Sequence, residues 1–218
     1  MMKMKLIARS LGAAALVATS GVAVAETLSV PATVTVDNTI DFQLTGSLDF
    51  GTLRGAADNA GTTCVGVTMP ANPASALTST LTGAASTACT TGSGNAILAT
   101  VGGTPARPEF AVAGLAAFAT LDVTVPVTTD ETDGIEMALA TPPPGSPVFQ
   151  LHDFTVYQSS GTPGAVALTA GVGTLNANGT GDIAFNVGAT IITDPGTPTA
   201  TDYQNAAYTA SFDVEVAY

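Results

Sequence analysis

Few side chains in this 218-residue chain could do acid–base, metal or thiol chemistry: one histidine, two cysteines and 17 carboxylates. His152 stands beside Asp153. A carboxylate next to an imidazole can fix its tautomer, as a proton shuttle requires. Hydrolysis would also need a nucleophile presented on a tight turn, and no Gly-x-Ser-x-Gly elbow occurs, so a structural histidine is the simpler expectation. Asp130, Glu131, Asp133 and Glu136 crowd around Gly134. Paired carboxylates suit glycoside chemistry, and hard oxygens suit calcium. The order Asp-Glu-Thr-Asp-Gly-Ile-Glu is not that of an EF-hand loop, however, and a solvated acidic loop explains it as well. Cys64 and Cys89 belong to no Cys-x-x-Cys and lie far from the histidine in sequence. In an exported chain such a pair reads first as a disulfide, closing a loop of about 25 residues worth roughly 3 kcal/mol. Asn178-Gly179-Thr180 fits the glycosylation sequon, a common tripeptide. No catalytic, cofactor or metal site is expected, and the chain does not read as an enzyme.

The elements that would carry these residues are strands. Ser211 to Tyr218 alternates throughout, with Phe212, Val214, Val216 and Tyr218 apolar and Ser211, Asp213, Glu215 and Ala217 polar or small. Period two predicts a strand with one face in a core. Thr27 to Asp37 alternates in the same way through Leu28, Val30, Ala32, Val34 and Val36, although Pro31 removes a ladder donor and predicts an edge or a bulge. Ile40, Phe42 and Leu44 continue the parity, then Leu48 and Phe50 after a turn at Thr45-Gly46-Ser47. Short strands are expected near Val65–Met69, Ala96–Val101 and Phe110–Gly114, with Leu121, Val123 and Val125 alternating until Pro126. Val148 to Tyr157 is the most aromatic stretch, and Ile183, Phe185 and Val187 alternate up to Gly188. Many short alternating strands divided by Gly and Pro predict an all-β, antiparallel sandwich or barrel.

Residues 1–25 read as a signal peptide. Lys3, Lys5 and Arg9 precede a short apolar run from Leu11 to Ala18, and Ala23-Val24-Ala25 offers a cleavage site. Residues 26–218 would then be a single β-sandwich domain. Loss of the leader would leave Arg54 and Arg107 as the only basic residues besides His152, against all the acids. So acidic a surface repels nucleic acid and anionic membranes. No later run reaches membrane-spanning length, and no membrane insertion is expected. A small outer-membrane barrel fits the closing strand but not the composition, which has no Trp, 8 Phe and 4 Tyr where girdles are needed.

Four segments carry a family likeness. LDFGTL at Leu48–Leu53, FAVAG at Phe110–Gly114, FNVGATI at Phe185–Ile191 and AYTASFDVEVAY at Ala207–Tyr218 resemble, in order, motifs of the bacterial family DUF4402. That family is similar to spore coat protein U-like and archaic chaperone–usher pilin subunits. Two features depart from the pattern: the glycines near the last strand stand as Ala206 and Ala210, and no early cysteine lies near the first strand. The resemblance implies an immunoglobulin-like, pilin-like sandwich that lacks a strand. The vacancy would be filled first by a periplasmic chaperone and then by the N-terminal extension of the next subunit delivered by an outer-membrane usher. On this reading residues 26–37 are the donor strand, with Leu28, Val30, Ala32, Val34 and Val36 as its inserting side chains. Phe212, Val214, Val216 and Tyr218 line the acceptor groove. The expected function is an exported structural subunit of a surface fibre or extracellular matrix, passing through the periplasm of a Gram-negative bacterium to the cell surface. Its partners would be neighbouring copies of itself or related subunits, with no cofactor. The alternative is a self-contained secreted binding module, adhesin-like, using the aromatic stretch around Phe149–Tyr157. From the residues alone, the first strand could equally fold back into its own domain, because alternation reports burial and not which chain supplies the core.

Overall fold

The computed structural model describes residues 29, 31–35, 39–59, 63–80, 94–129, 133–195 and 201–218. The chain forms two compact units, Met1–Val36 and Asp37–Tyr218. Of the first, Ser29 and Pro31–Thr35 are described; Pro31–Thr35 are exposed and belong to no strand.

The second unit is all-β, and every strand pairing among the described residues is antiparallel. Its strands are β1 (Asp41–Thr45), β2 (Thr52–Ala56), β3 (Gly66–Met69), β4 (Thr78–Thr80), β5 (Ile97–Gly102), β6 (Glu109–Ala113), β7 (Thr120–Thr124), β8 (Ile135–Met137), β9 (Phe149–Gln158), β10 (Gly164–Val166), β11 (Val172–Asn176), β12 (Ile183–Thr193) and β13 (Glu215–Ala217). The large sheet is built on β12. One edge of β12 pairs with β6 through its first half and with β3 through its second. Its other edge pairs with β9 along nearly the whole length. β1 and β4 extend this sheet beyond β6 and β3, while β8 and β10 pair with the two ends of β9. A second sheet has the order β11-β7-β13, and β2 pairs with β5 in a third. One hydrophobic cluster draws on all three sheets, with Phe110, Val112, Phe185 and Val187 from the first, Leu121, Val123 and Leu175 from the second and Leu98 from the third. This arrangement is that of a β-sandwich.

β12 runs past the glycine at which the alternation was expected to end. Gly188 lies inside it, and a Cβ there would sit 2.2 Å from the Met69 carbonyl oxygen and 2.4 Å from the Ala71 nitrogen. Close backbone approach, rather than strand termination, is why glycine stands here. Opposite it, β9 carries a bulge. Thr155 pairs with Gly188 and His152 with Thr190, so Asp153 and Phe154 together face Ala189. Asp153 takes a φ of 49°. The extra residue shifts the parity of β9, so that Phe149 and Leu151 before it and Phe154 and Val156 after it are all buried.

The closing strand is shorter than the alternation predicted. Glu215–Ala217 pairs with β7, while Ser211–Val214 lies outside any strand. The ladder stops on its partner side at Pro126, which follows the paired Thr124 by two residues and has no N–H to give.

Candidate assembly edge

The segment leading to β13 is anchored by aromatic contacts. Tyr203 stacks on Phe149 with ring centroids 3.9 Å apart, and Tyr208 meets Phe149 edge-on at 5.0 Å. The Tyr203 hydroxyl donates to the Val148 carbonyl at 2.8 Å and accepts the Asp194 N–H at 2.7 Å. Burial pushes its ionisation far above the ordinary tyrosine range. Thr209 then forms a bridge with Ala138 just beyond β8, and Phe212 packs on Phe154 at 4.9 Å. The chain thus passes from the β8–β9 side of the large sheet to the edge of the second sheet.

There β13 is bonded on one side only, to β7, among the described residues. Its outer edge presents strand N–H and C=O groups that a further strand could pair with. Phe212, Val214 and Val216 point to the core side but are half-buried, and Tyr218, expected on that side, is 68% exposed. Beside them runs a groove of about 410 Å³ lined by Val125, Pro126, Ile135, Phe212, Asp213 and Glu215, among others. A second open edge among several, β1, is also incompletely covered. Phe42 stacks against Phe110 at 5.6 Å, and Phe110 against Phe185 at 5.0 Å, so the Phe42 ring lies against a core residue although all five residues of β1 are exposed. Phe42 is nevertheless 37% exposed and Leu44 59% exposed.

Of the expected donor residues, Ala32 and Val34 are described and exposed, Val34 by 86%. Leu28, Val30 and Val36 lie outside the described residues. So does Cys89, while Cys64 is fully buried against Ile192.

Those residues with chemical potential that are described make contacts within the scaffold. His152 is fully buried. Its Nε2 lies 3.0 Å from Gln150 Oε1 and its Nδ1 3.9 Å from Asp133. Gly134 packs directly on the ring: a Cβ there would fall 2.0 Å from Nε2. Asp133 accepts bonds from the backbone and hydroxyl of Thr129, each 2.6 Å, while Asp130 and Glu131 lie outside the described residues. Among the described residues no three His, Cys, Asp or Glu side chains are grouped to hold a metal ion. Asn178 uses its Oδ1 to accept from the Thr180 N–H and hydroxyl and the Asp182 N–H, which fixes its own turn. Phe149 and Phe154 are buried, so that aromatic stretch is core and not an exposed platform. No helix among the described residues is long and apolar enough to cross a membrane. No family model, curated protein or solved structure matches the chain.

Proposed function

We propose that the chain is an exported structural subunit that joins copies of itself, or related subunits, into a surface fibre or matrix by donor-strand complementation. The observation that carries this reading is the unpaired outer edge of β13, where Phe212, Val214 and Val216 are only half-buried beside an open groove. A donor strand would satisfy the edge by ladder hydrogen bonds and the groove by side chains at alternate positions. Pro31–Thr35 are exposed and in no strand, as a segment kept for another molecule would be. Leu28, Val30, Ala32, Val34 and Val36 have the required alternation; full burial of a valine or leucine is worth about 1.5–3 kcal/mol. Under this reading the sandwich is of the immunoglobulin-like, pilin-like kind, residues 1–25 are a removable leader, and Cys64 pairs with Cys89 before assembly in an oxidising compartment.

The test uses chain 26–218. Incubated at high concentration, it should give a ladder on gels run without boiling and a series of sizes by light scattering. Deletion of residues 26–37 should leave a folded monomer, and an excess of a peptide of that sequence should cap the full chain. A full-length chain that stays monomeric at every concentration, or a deletion variant that still forms the ladder, overturns the proposal.

A further inference from the structure

Arg107 sits between β5 and β6 and lines a second groove of about 510 Å³ with Ser75, Leu77, Thr100, Gly102 and Pro105, among others. Its side chain is fixed from behind. Nε donates to the Pro70 carbonyl at 2.6 Å and Nη2 to the Ser75 carbonyl. Both acceptors are uncharged. A guanidinium has five N–H donors in one plane. The two on Nη1 and the second on Nη2 have no acceptor among the described residues, and no described carboxylate forms an ion pair with Arg107. Partial burial lowers its pKa, the sign of a cation that has lost water without gaining a counter-charge. The chain has 17 acids and 5 basic residues, so a cation left this way contrasts with its surroundings.

We propose that this groove binds a carboxylate-bearing molecule of about monosaccharide size, held by the open edge of the Arg107 guanidinium. Planar two-point pairing is what a fixed guanidinium offers a carboxylate. The remaining walls are suited to a polyhydroxylated body, since Ser75 and Thr100 bring hydroxyls and Leu77 and Pro105 bring small apolar surfaces. The volume falls within the range of small-molecule sites, roughly 300–1,000 Å³. This inference is independent of strand exchange, for the groove is lined by the segment before β4, by β5 and by the loop before β6, and shares no lining residue with the groove beside β13.

The experiment titrates the folded chain with glucuronate and with glucose, a pair that differs by the carboxylate, followed by calorimetry and amide chemical shifts. Glucuronate should bind saturably and at least about tenfold more tightly than glucose, as a charge-assisted pair requires. Arg107→Gln should abolish the difference. Because Arg107 also ties the Pro70–Ser75 turn, a second variant keeps those bonds: Gly102→Leu, at a position where an added Cβ meets nothing within 4 Å, should block the groove and weaken glucuronate about tenfold or more with an unchanged melting temperature. Tighter binding of a uronate oligomer than of the monomer would assign the ligand to a polymer, and equal binding to a free acid; either supports the groove. Equal affinity for glucose and glucuronate, no saturable binding of glucuronate, or glucuronate binding untouched by Gly102→Leu overturns it.

Discussion

Individual residues in this fold are constrained most where backbone meets backbone. Gly188 is the clearest case. Its missing Cβ would strike the Met69 oxygen and the Ala71 nitrogen, and neither can swing aside as a side chain would. Gly188→Ala should therefore force β3 away from β12 and lower the unfolding free energy by about 3 kcal/mol in urea titrations, as overpacked cores do. Gly102→Ala, with open space around its Cβ, should change it by less than about 1 kcal/mol. Tyr203 shows a different constraint. Its hydroxyl both donates and accepts within a buried aromatic group, and burial raises its pKa well above the free value. In the unfolded chain a tyrosine ionises near pH 10. Below that pH both states hold the proton and the stabilisation is complete. Above it the unfolded state loses protons that the folded state keeps, so stability must fall as pH rises. Melting temperatures should decline from about pH 10 upward. Tyr203→Phe should reduce that decline while lowering stability at neutral pH by about 1–3 kcal/mol, because the Val148 carbonyl and the Asp194 N–H lose their partner.

At the scale of elements, the proposed function would have the closing segment separate folding from assembly. Phe212 packs on Phe154, whereas Val214 and Val216 are half-buried at an edge bonded on one side. A charge at Val214 should be nearly harmless to the monomer and severe for a docked strand. Val214→Asp is expected to shift the urea midpoint by no more than about 1 kcal/mol equivalent while abolishing the ladder of multimers on unboiled gels. A large loss of monomer stability, or multimers as abundant as before, would show that this edge is not where copies join. The same elements explain what the sequence made legible. β6, β7 and the start of β12 were readable because one face of each meets the core and the other meets water or polar neighbours. The second half of β12 hid its continuation, since both faces from Val187 to Thr193 are buried and alternation vanishes when there is no wet side. The β9 bulge hid the joint parity of Leu151 and Phe154. β8, β10 and β4 have 3 residues each, too few for any period to register, and β11 hides one inward position in Gly173. At the candidate edge, the parity of Phe212, Val214 and Val216 was legible, but their partial exposure was not. Nor was the shortness of the β13 ladder, which ends where its partner strand reaches Pro126.

At the scale of the whole molecule, the proposed function would require one surface to keep copies apart in solution and yet let them meet at one edge. The chain carries a formal charge of −12, and residues 26–218 taken alone are more acidic, because residues 1–25 contain Lys3, Lys5 and Arg9 and no acid. Identical acidic bodies repel, which slows encounter and guards an exposed strand edge against indiscriminate pairing. The groove beside β13 includes Asp213 and Glu215, while Thr27–Val36 contains no basic residue. The proposed contact therefore has no opposite charges to hold it and must rest on apolar side chains and the backbone ladder. Salt then has a definite sign. Raising sodium chloride from about 0.1 M to 1 M shortens the screening length from about 10 Å to about 3 Å. Multimer formation by residues 26–218 should accelerate several-fold over that range, read by light scattering at fixed protein concentration. The capping peptide should remain an effective inhibitor at both ends. Slower assembly in high salt would mean that attraction between charges drives the contact, which the composition of these two segments does not provide, and would move the joining surface away from β13.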